Sequence, residues 1–332
     1  MKKWVQAARL FVIAASVLPA VLGSLLALSE KGRFDPLLFG LTLLGVAFIH
    51  LGANLINDYF DHLTGADENN SEGVFPFSGG SRVIQEGTIP PARVLKASIL
   101  CYLLAAMIGA YLFTVSGVWV LVIGLFGILS SILYVSPRFS LLNMGIGELV
   151  VGLDFGVLTV AGAYYVQTGT FSLSSLMASL PIAIIIALIL IVNEFPDYNG
   201  DRISGKMTLV VRLGRKKASY VVTMLLALTV LSIIINAAFG FTNLWSLLGL
   251  AAIPFVVNAA VVALKHYDNV NRMLPANISI INSHIFFNAY LAVSCLFFGK
   301  YLILGYCLAG AVFLYQLFTM KQIGILKIQK AT

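Results

Sequence analysis

The sequence predicts an all-α fold, a polytopic transmembrane helical bundle of nine or ten helices with a pseudo-repeat of four-helix units around a central cavity. The 332-residue chain is 59% hydrophobic and only 11% charged, whereas soluble domains carry about 25% charged residues. Its apolar stretches reach the roughly 20 residues that a membrane helix needs. Two similar acidic clusters begin at Asn57 and Asn193, each at the end of an apolar stretch, which indicates the internal repeat.

Ten apolar stretches are candidate membrane spans. They cover approximately residues 10–29, 37–56, 94–115, 118–135, 143–165, 171–193, 218–239, 243–264, 279–298 and 301–320. The last two are separated only by Gly299 and Lys300, so nine spans plus a re-entrant or surface helix is the alternative. No stretch has the composition of a linker to a separate soluble domain, and we expect residues 1–332 to form a single integral membrane domain.

The positive charges predict the orientation of the bundle. With the N-terminus inside, 18 of the 21 Lys and Arg residues face the cytoplasm, all but Lys31, Arg33 and Lys300. Both acidic clusters then lie on the cytoplasmic side of what we expect to be a prokaryotic cytoplasmic membrane. The net charge of +7 follows from this placement beside the spans, so lipid rather than nucleic acid is the expected partner.

The longest predicted loops, residues 57–93 and 193–217, follow the second and the sixth span on this side, and a shorter one covers 134–142. If the second span continues as a helix, its polar residues recur at spacings of three and four and share one stripe. These residues are Asn54, Asn57, Asp58 and Asp61. Asn193, Asp197 and Asp201 form a second stripe, and Pro196 is expected to disturb the helix there and to free backbone carbonyls.

Carboxylates beside hydrocarbon are costly and are rarely kept without a function. Carboxylate and amide oxygens are hard ligands that suit Mg²⁺ or Ca²⁺. The candidate metal ligands are therefore Asp58, Asp61, Asp67, Asn193, Asp197 and Asp201. Two such sets on one membrane face predict the opposing walls of a single cation site.

Cationic and glycine-rich segments beside the acids are suited to phosphate. Arg82 follows a Ser-Gly-Gly-Ser stretch, and Arg138 ends the loop that begins at Tyr134. Arg202 and Lys206 directly follow the second acidic cluster. Together with Asn57 and Tyr134, we expect these residues to bind a diphosphate.

These motifs resemble those of the UbiA superfamily of intramembrane prenyltransferases. The resemblance is carried by Asn57-Asp58-x-x-Asp61 with Asp67, Tyr134-x-x-x-Arg138, and Asp197-x-x-x-Asp201 followed by Arg202 and Lys206. Phe77-Ser78-Gly79-Gly80-Ser81-Arg82 and Gly205-Lys206-Met207-Thr208 are most similar to the MenA-type branch.

The resemblance implies Mg²⁺ bound by Asp58, Asp61, Asp197 and Asp201 as the catalytic group. It also implies a polyprenyl diphosphate donor and an aromatic acceptor, 1,4-dihydroxy-2-naphthoate, in menaquinone biosynthesis. Alternative acceptors are 4-hydroxybenzoate, homogentisate or a glycerol phosphate lipid. An ion-coupled transporter is the alternative from another class, but it predicts acids near the bilayer midplane.

Other polar residues within the spans give weaker signals. Asn54, Glu148 and His284 are candidates for the acceptor side of the site. Asp154 lies deeper in the fifth span, where a hydrogen bond to another helix is its expected role. The length of the prenyl chain and the oligomeric state cannot be read from these residues.

Overall fold

The computed structural model describes residues 2–65, 74 and 77–325, and all regular structure in these residues is helical. Eight described helices are long and apolar enough to cross a membrane, which confirms the prediction of an all-α integral membrane bundle. Trp119–Tyr134, with 16 residues, is shorter, and Val270–Ser294 is a 25-residue helix rich in Asn and Ser.

The elements follow one another with short connections. After α1 (Lys2–Ala7) and a 3₁₀ turn (Leu10–Val12), they are α2 (Ala14–Lys31), α3 (Pro36–Thr64), α4 (Pro91–Ser116), α5 (Trp119–Tyr134), α6 (Gly147–Gly152), a π-helical segment (Leu153–Leu158), α7 (Thr159–Thr168), α8 (Leu173–Ser204), α9 (Leu209–Leu213), α10 (Arg215–Ala238), a 3₁₀ helix (Leu244–Ala252), α11 (Ile253–His266), α12 (Val270–Ser294), a 3₁₀ turn (Gly299–Tyr301) and α13 (Leu302–Gln322).

The helices α3 and α8 extend beyond the predicted spans and carry the two acidic clusters. Both end at a glycine in the left-handed conformation, Gly65 with φ 73° and Gly205 with φ 74°. The first acidic cluster is therefore helical, as its spacing predicts. The expected break at Pro196 is wrong, because α8 runs through this proline without interruption.

The predicted ninth span, 279–298, is displaced in the structure. Helix α12 already begins at Val270 and ends at Ser294, and residues 295–298 form the turn before α13. The cap explains the early start, because the Asn269 side chain accepts a hydrogen bond from the backbone N–H of Arg272 at 3.0 Å.

The main hydrophobic core lies around α8. It joins buried side chains of α8 to those of α2, α10, α11 and α12, with Ile182, Ile185 and Leu188 fully buried. Helices α3, α4 and α5 pack mainly on one another and bury a smaller share of their surface. This difference leaves space between the two groups of helices, and the largest cavity lies there.

Candidate active site

We use the term motif end for the side of the bundle formed by residues 54–65, 77–91, 134–148 and 193–215. Asp58 is buried there, with 2% of its surface exposed. Its Oδ1 accepts hydrogen bonds from the Arg9 guanidinium at 2.6 Å and from the Ser81 backbone N–H at 3.3 Å, and its Oδ2 accepts one from the Ser81 hydroxyl. Burial of this carboxylate is thus compensated by a charged partner and by two neutral donors.

The glycine-rich loop connects the first acidic cluster to the second. The Gly79 backbone N–H donates to Asp197 at 3.4 Å, while Ser81 binds Asp58. The nitrogens of residues 79 and 81 are at most about 7 Å apart, so the two carboxylates approach the same short segment. Gly79, Gly80 and Arg82 all have positive φ angles, of 78°, 69° and 59°. Glycine adopts this conformation without strain and so allows the backbone to turn between the two helices.

A second connection joins Asp61 on α3 to the residues after α8. The Lys206 ammonium donates to both Asp61 oxygens, at 2.9 and 3.1 Å, and the Lys206 backbone N–H donates to the Asp201 carbonyl at 2.8 Å. Asp61 and Asp201 are both buried, with 6% and 8% of their surface exposed. The two acidic stripes therefore converge at the motif end.

The third motif lies against the same residues. Ser136 and Ser140 line a small cavity of about 70 Å³ together with Asp61 and Lys206. Arg138, in the same loop, is exposed and does not line this cavity. Asn143 of this loop accepts a hydrogen bond from the Met207 backbone N–H at 3.0 Å and so holds the residue next to Lys206.

Two buried glutamates fix the segment after Lys206. Glu148 accepts a hydrogen bond from the Leu209 N–H at 3.0 Å, and Glu194 accepts one from the Val210 N–H at 3.1 Å. These are orphan donors at the start of α9, which two carboxylates satisfy together with the Thr208 cap. Glu148 thus supports the backbone beside Lys206 and, contrary to prediction, does not line the large cavity on the acceptor side.

Helix α8 remains intact at its prolines because asparagines of other helices replace the missing hydrogen bonds. Proline lacks an N–H, which leaves the carbonyl four residues earlier without its helical donor. The Val192 carbonyl, freed by Pro196, accepts from Asn277 Nδ2 at 3.2 Å. The same amide donates to Asn193 Oδ1 at 2.9 Å and so orients a predicted metal ligand.

A cavity of about 330 Å³ extends from the motif end into the membrane-spanning part of the bundle. Its walls are mostly apolar and come from residues between Arg9 and Asn193. The polar groups at its mouth are Arg9, Asn54, Asn57, Tyr134 and Asn193. An elongated apolar compartment below a polar mouth fits an amphiphile with a charged head and a hydrocarbon tail.

The structure places the remaining predicted residues differently from one another. Arg202 is exposed, and Arg82 is partly buried in the loop between the two clusters. Asp67 lies outside the described residues. His284 is buried in α12 with 1% of its surface exposed and does not line either cavity, so its predicted acceptor-side position is wrong.

Sequence reasoning missed two residues that the fold brings to the site. Arg9 precedes the first span and has the signature of a topology-determining charge, yet it binds Asp58. His50 lies in the middle of a long apolar stretch and lines the large cavity. A membrane-embedded histidine is a signal for function, but nothing local distinguishes His50 from His284.

Within the described residues, no group of three or more His, Cys, Asp and Glu side chains is preassembled to hold a metal ion. The donors nevertheless fit a hard cation of the Mg²⁺ type. Such ions use one or two carboxylates and complete their shell with substrate phosphate oxygens and water. Asp58 and Asp61 on one side and Asp197 and Asp201 on the other supply carboxylates in this divided arrangement.

Comparisons with known proteins agree with this geometry. Residues 16–281 match the model of the UbiA prenyltransferase family. The chain is 27% identical over 291 residues to 1,4-dihydroxy-2-naphthoate octaprenyltransferase of Bacillus subtilis, covering 88% of this chain and 91% of that protein. It is 29% identical over 273 residues to the Escherichia coli protein of the same name, covering 80% and 86%.

Solved structures share the fold. A UbiA homolog from Archaeoglobus fulgidus bound to DMAPP and Mg²⁺ matches with a TM-score of 0.54 at 16% identity, covering 96% of this chain and 99% of that one. A digeranylgeranylglyceryl phosphate synthase matches with a TM-score of 0.59 at 19% identity, covering 89% and 98%. Together with the family match over most of its length, this shows that the chain belongs to the UbiA prenyltransferase family and is an integral membrane prenyltransferase.

Proposed function

We propose that this enzyme transfers a polyprenyl group from its diphosphate to 1,4-dihydroxy-2-naphthoate, a step of menaquinone biosynthesis, with Mg²⁺ as cofactor. The observation that carries the proposal is the convergence of both acidic stripes, Lys206 and the glycine-rich loop at the mouth of an apolar cavity. Naphthoate is favoured as the acceptor because the Bacillus subtilis and Escherichia coli relatives carry that name and align over most of this chain.

The acidic residues would hold the cofactor. Asp58, Asp61, Asp197 and Asp201 are the proposed ligands, with Asn193 beside them. Bound Mg²⁺ supplies positive charge that offsets the charge of the departing diphosphate. Lys206, Arg82 and backbone N–H groups of the glycine-rich loop add donors at the same place, where a preorganised positive field lowers the barrier to C–O cleavage.

The apolar cavity protects the reactive carbon. As the bond between C1 of the donor and the diphosphate oxygen breaks, the electron pair leaves with the diphosphate and positive charge develops on the allylic carbon. An electron-rich ring carbon of the acceptor then forms the new C–C bond. Apolar walls exclude the water that would otherwise trap the allylic carbon.

The sidedness of the site follows from charge. All described Lys and Arg residues of the motif end lie on the side that the positive-inside rule assigns to the cytoplasm. We therefore propose that diphosphate and acceptor reach the site from the cytoplasm, while the prenyl chain occupies the bilayer-spanning cavity.

The test is an assay of the purified full-length protein in detergent with dihydroxynaphthoate, a polyprenyl diphosphate and Mg²⁺, with product identified by mass spectrometry. We expect prenylated naphthoquinol precursor, loss of product with EDTA and recovery with excess Mg²⁺. Asp61→Asn should lower turnover by about 100-fold or more, whereas Glu86→Gln, an exposed acid near the same end, should leave it unchanged. Faster turnover of 4-hydroxybenzoate, homogentisate or a glycerol phosphate lipid would refute the naphthoate assignment.

A further inference from the structure

Asp154 brings a carboxyl group into the wall of the large cavity. Of the described residues that line this cavity, it is the sole carboxylic acid. Its Oδ2 accepts a hydrogen bond from the Ser130 hydroxyl at 2.6 Å. Its Oδ1 is buried and has no hydrogen-bond partner among the described residues. The expected interhelical hydrogen bond is therefore present, but it uses only one of the two oxygens.

The backbone holds Asp154 in a defined position. It belongs to the π-helical segment Leu153–Leu158, and its carbonyl accepts a hydrogen bond from the Thr159 hydroxyl at 2.8 Å. A Cβ atom at Gly156 would lie 2.4 Å from Cα of Ala183, so only glycine allows this contact with α8. Gly152 packs against the same alanine. Such small-residue contacts bring helices close together, and single π turns are frequent at functional sites.

A second polar group lies beside this position. The ring of His50 contacts that of Phe155, the residue after Asp154, with centroids 5.2 Å apart, and both residues line the cavity. The Nδ1 atom of His50 is 2.9 Å from the hydroxyl of Ser16. His50 lies eight residues before Asp58 on α3, which is a depth of about 12 Å below the acidic cluster.

This depth decides which substrate the polar level serves. The diphosphate stays with the acidic clusters and cations at the mouth, and a prenyl chain has no hydrogen-bonding groups. The acceptor is an aromatic ring with polar groups at opposite ends. Its reacting carbon must meet C1 of the donor just inside the mouth, so a hydroxyl across the ring points deeper into the cavity.

We propose that Asp154, held by Ser130, accepts a hydrogen bond from the acceptor's hydroxyl on the far side of the ring and so determines acceptor specificity. This inference rests on the proposed function and names a residue for its second substrate. A buried acceptor atom without a partner discriminates strongly in favour of a ligand that supplies the missing donor.

The experiment compares two ligands that differ only in the far hydroxyl. In wild type and Asp154→Ala, the Michaelis constant for the dihydroxynaphthoate acceptor is measured, together with the inhibition constant of 1-hydroxy-2-naphthoate against it. We expect the substitution to raise this Michaelis constant by about 10-fold or more, while the inhibition constant and the Michaelis constant for the donor change by less than about twofold. A parallel rise of both acceptor-side constants, or a rise in the constant for the donor, would overturn the proposal.

Two further variants separate this role from a structural one. Ser130→Ala keeps the carboxyl but frees it, and should give the same pattern to a smaller degree. Asn236→Ala removes a buried amide that binds the Met177 carbonyl outside the cavity, and should lower stability without changing the ratio of the two acceptor-side constants. A ratio that changes as much in Asn236→Ala as in Asp154→Ala contradicts the proposal.

Binding without turnover distinguishes the two hypotheses. Each naphthoate is added to wild type and to Asp154→Asn, which preserves the side-chain shape, and the shift in unfolding temperature is recorded. A larger shift with the dihydroxy compound that is lost in Asp154→Asn supports the role of Asp154 even if no prenylated product forms. Equal shifts with both compounds in wild type would overturn it, even if the naphthoate is prenylated.

Discussion

The ammonium group of Lys206 lies 2.9 and 3.1 Å from the two carboxylate oxygens of Asp61, which belongs to a helix 145 residues earlier in the chain. Asp61 is nearly buried, and Lys206 is 21% exposed at its side chain. The pair joins the first acidic cluster to the segment that follows the second. It is therefore the most direct evidence that both clusters belong to one site.

Replacement of Lys206 by alanine should lower kcat/KM by about 100-fold, because it removes a cation from the proposed diphosphate site and leaves Asp61 without its charged partner. Lys206→Arg should retain part of the activity, since the charge remains but its geometry changes. Steady-state assays with both substrates measure this. Lys217→Ala, an exposed cation of α10, is the matched control and should behave as wild type. Equal losses in Lys206→Ala and Lys217→Ala would contradict a specific role for the pair.

Arg9 should matter as much as the predicted motif residues. Its guanidinium is 2.6 Å from Asp58 and lines the mouth of the cavity. Arg9→Ala leaves a buried carboxylate without its ion-pair partner, and we expect the Michaelis constant for the donor to rise by about 10-fold or more. The exposed Lys3 nearby provides the control, since Lys3→Ala removes the same charge from the same terminus. An unchanged Michaelis constant for the donor in Arg9→Ala would show that Arg9 acts only in topology.

The amide of Asn277 should be energetically coupled to Pro196. Asn277→Ala leaves the Val192 carbonyl without a donor, and we expect a loss of about 1 kcal/mol in the free energy of unfolding, together with lower activity because Asn193 is no longer oriented. In a Pro196→Ala background the restored N–H can bond that carbonyl, so the same substitution should cost less stability. Unfolding in mixed detergent micelles measures the cycle, and additive single effects would disprove the coupling.

Pro181 provides the internal comparison. The carbonyl that it frees, of Met177, accepts from Asn236 at 2.6 Å in the same way, but neither residue lines a cavity. Asn236→Ala should therefore reduce stability by a similar amount while leaving the activity per folded molecule unchanged. A loss of catalysis equal to that of Asn277→Ala would show that the effect at Asn277 is global rather than local.

Gly156 should not tolerate a methyl group. Gly156→Ala would place Cβ 2.6 Å from the Ala183 nitrogen and 2.4 Å from its Cα, and backbone atoms cannot move aside as a flexible side chain can. We expect destabilisation of about 1–3 kcal/mol by overpacking. Gly310→Ala in α13 meets no neighbouring atom within 4 Å and should be neutral or slightly stabilising, as seen in the unfolding temperature. Similar stability of the two variants would contradict the close α8 contact.

The sequence alone determined the class of protein, the helices and the residues that line up on the two acidic stripes. These properties depend on composition and on spacing along a single helix, where period and polarity are sufficient. Even the carbonyl freed by Pro196 was predictable, because proline removes a donor wherever it occurs in a helix.

Only the tertiary structure decided which polar groups meet. Arg9 and the other cations beside the spans have the same local sequence signal, and so do His50 and His284. Helices that are apolar around most of their circumference carry little information about their rotation, so packing against neighbours determines which side chain faces the cavity. The partnerships of Lys206 with Asp61 and of Asn277 with Val192 link residues far apart in the chain, and no local pattern encodes them.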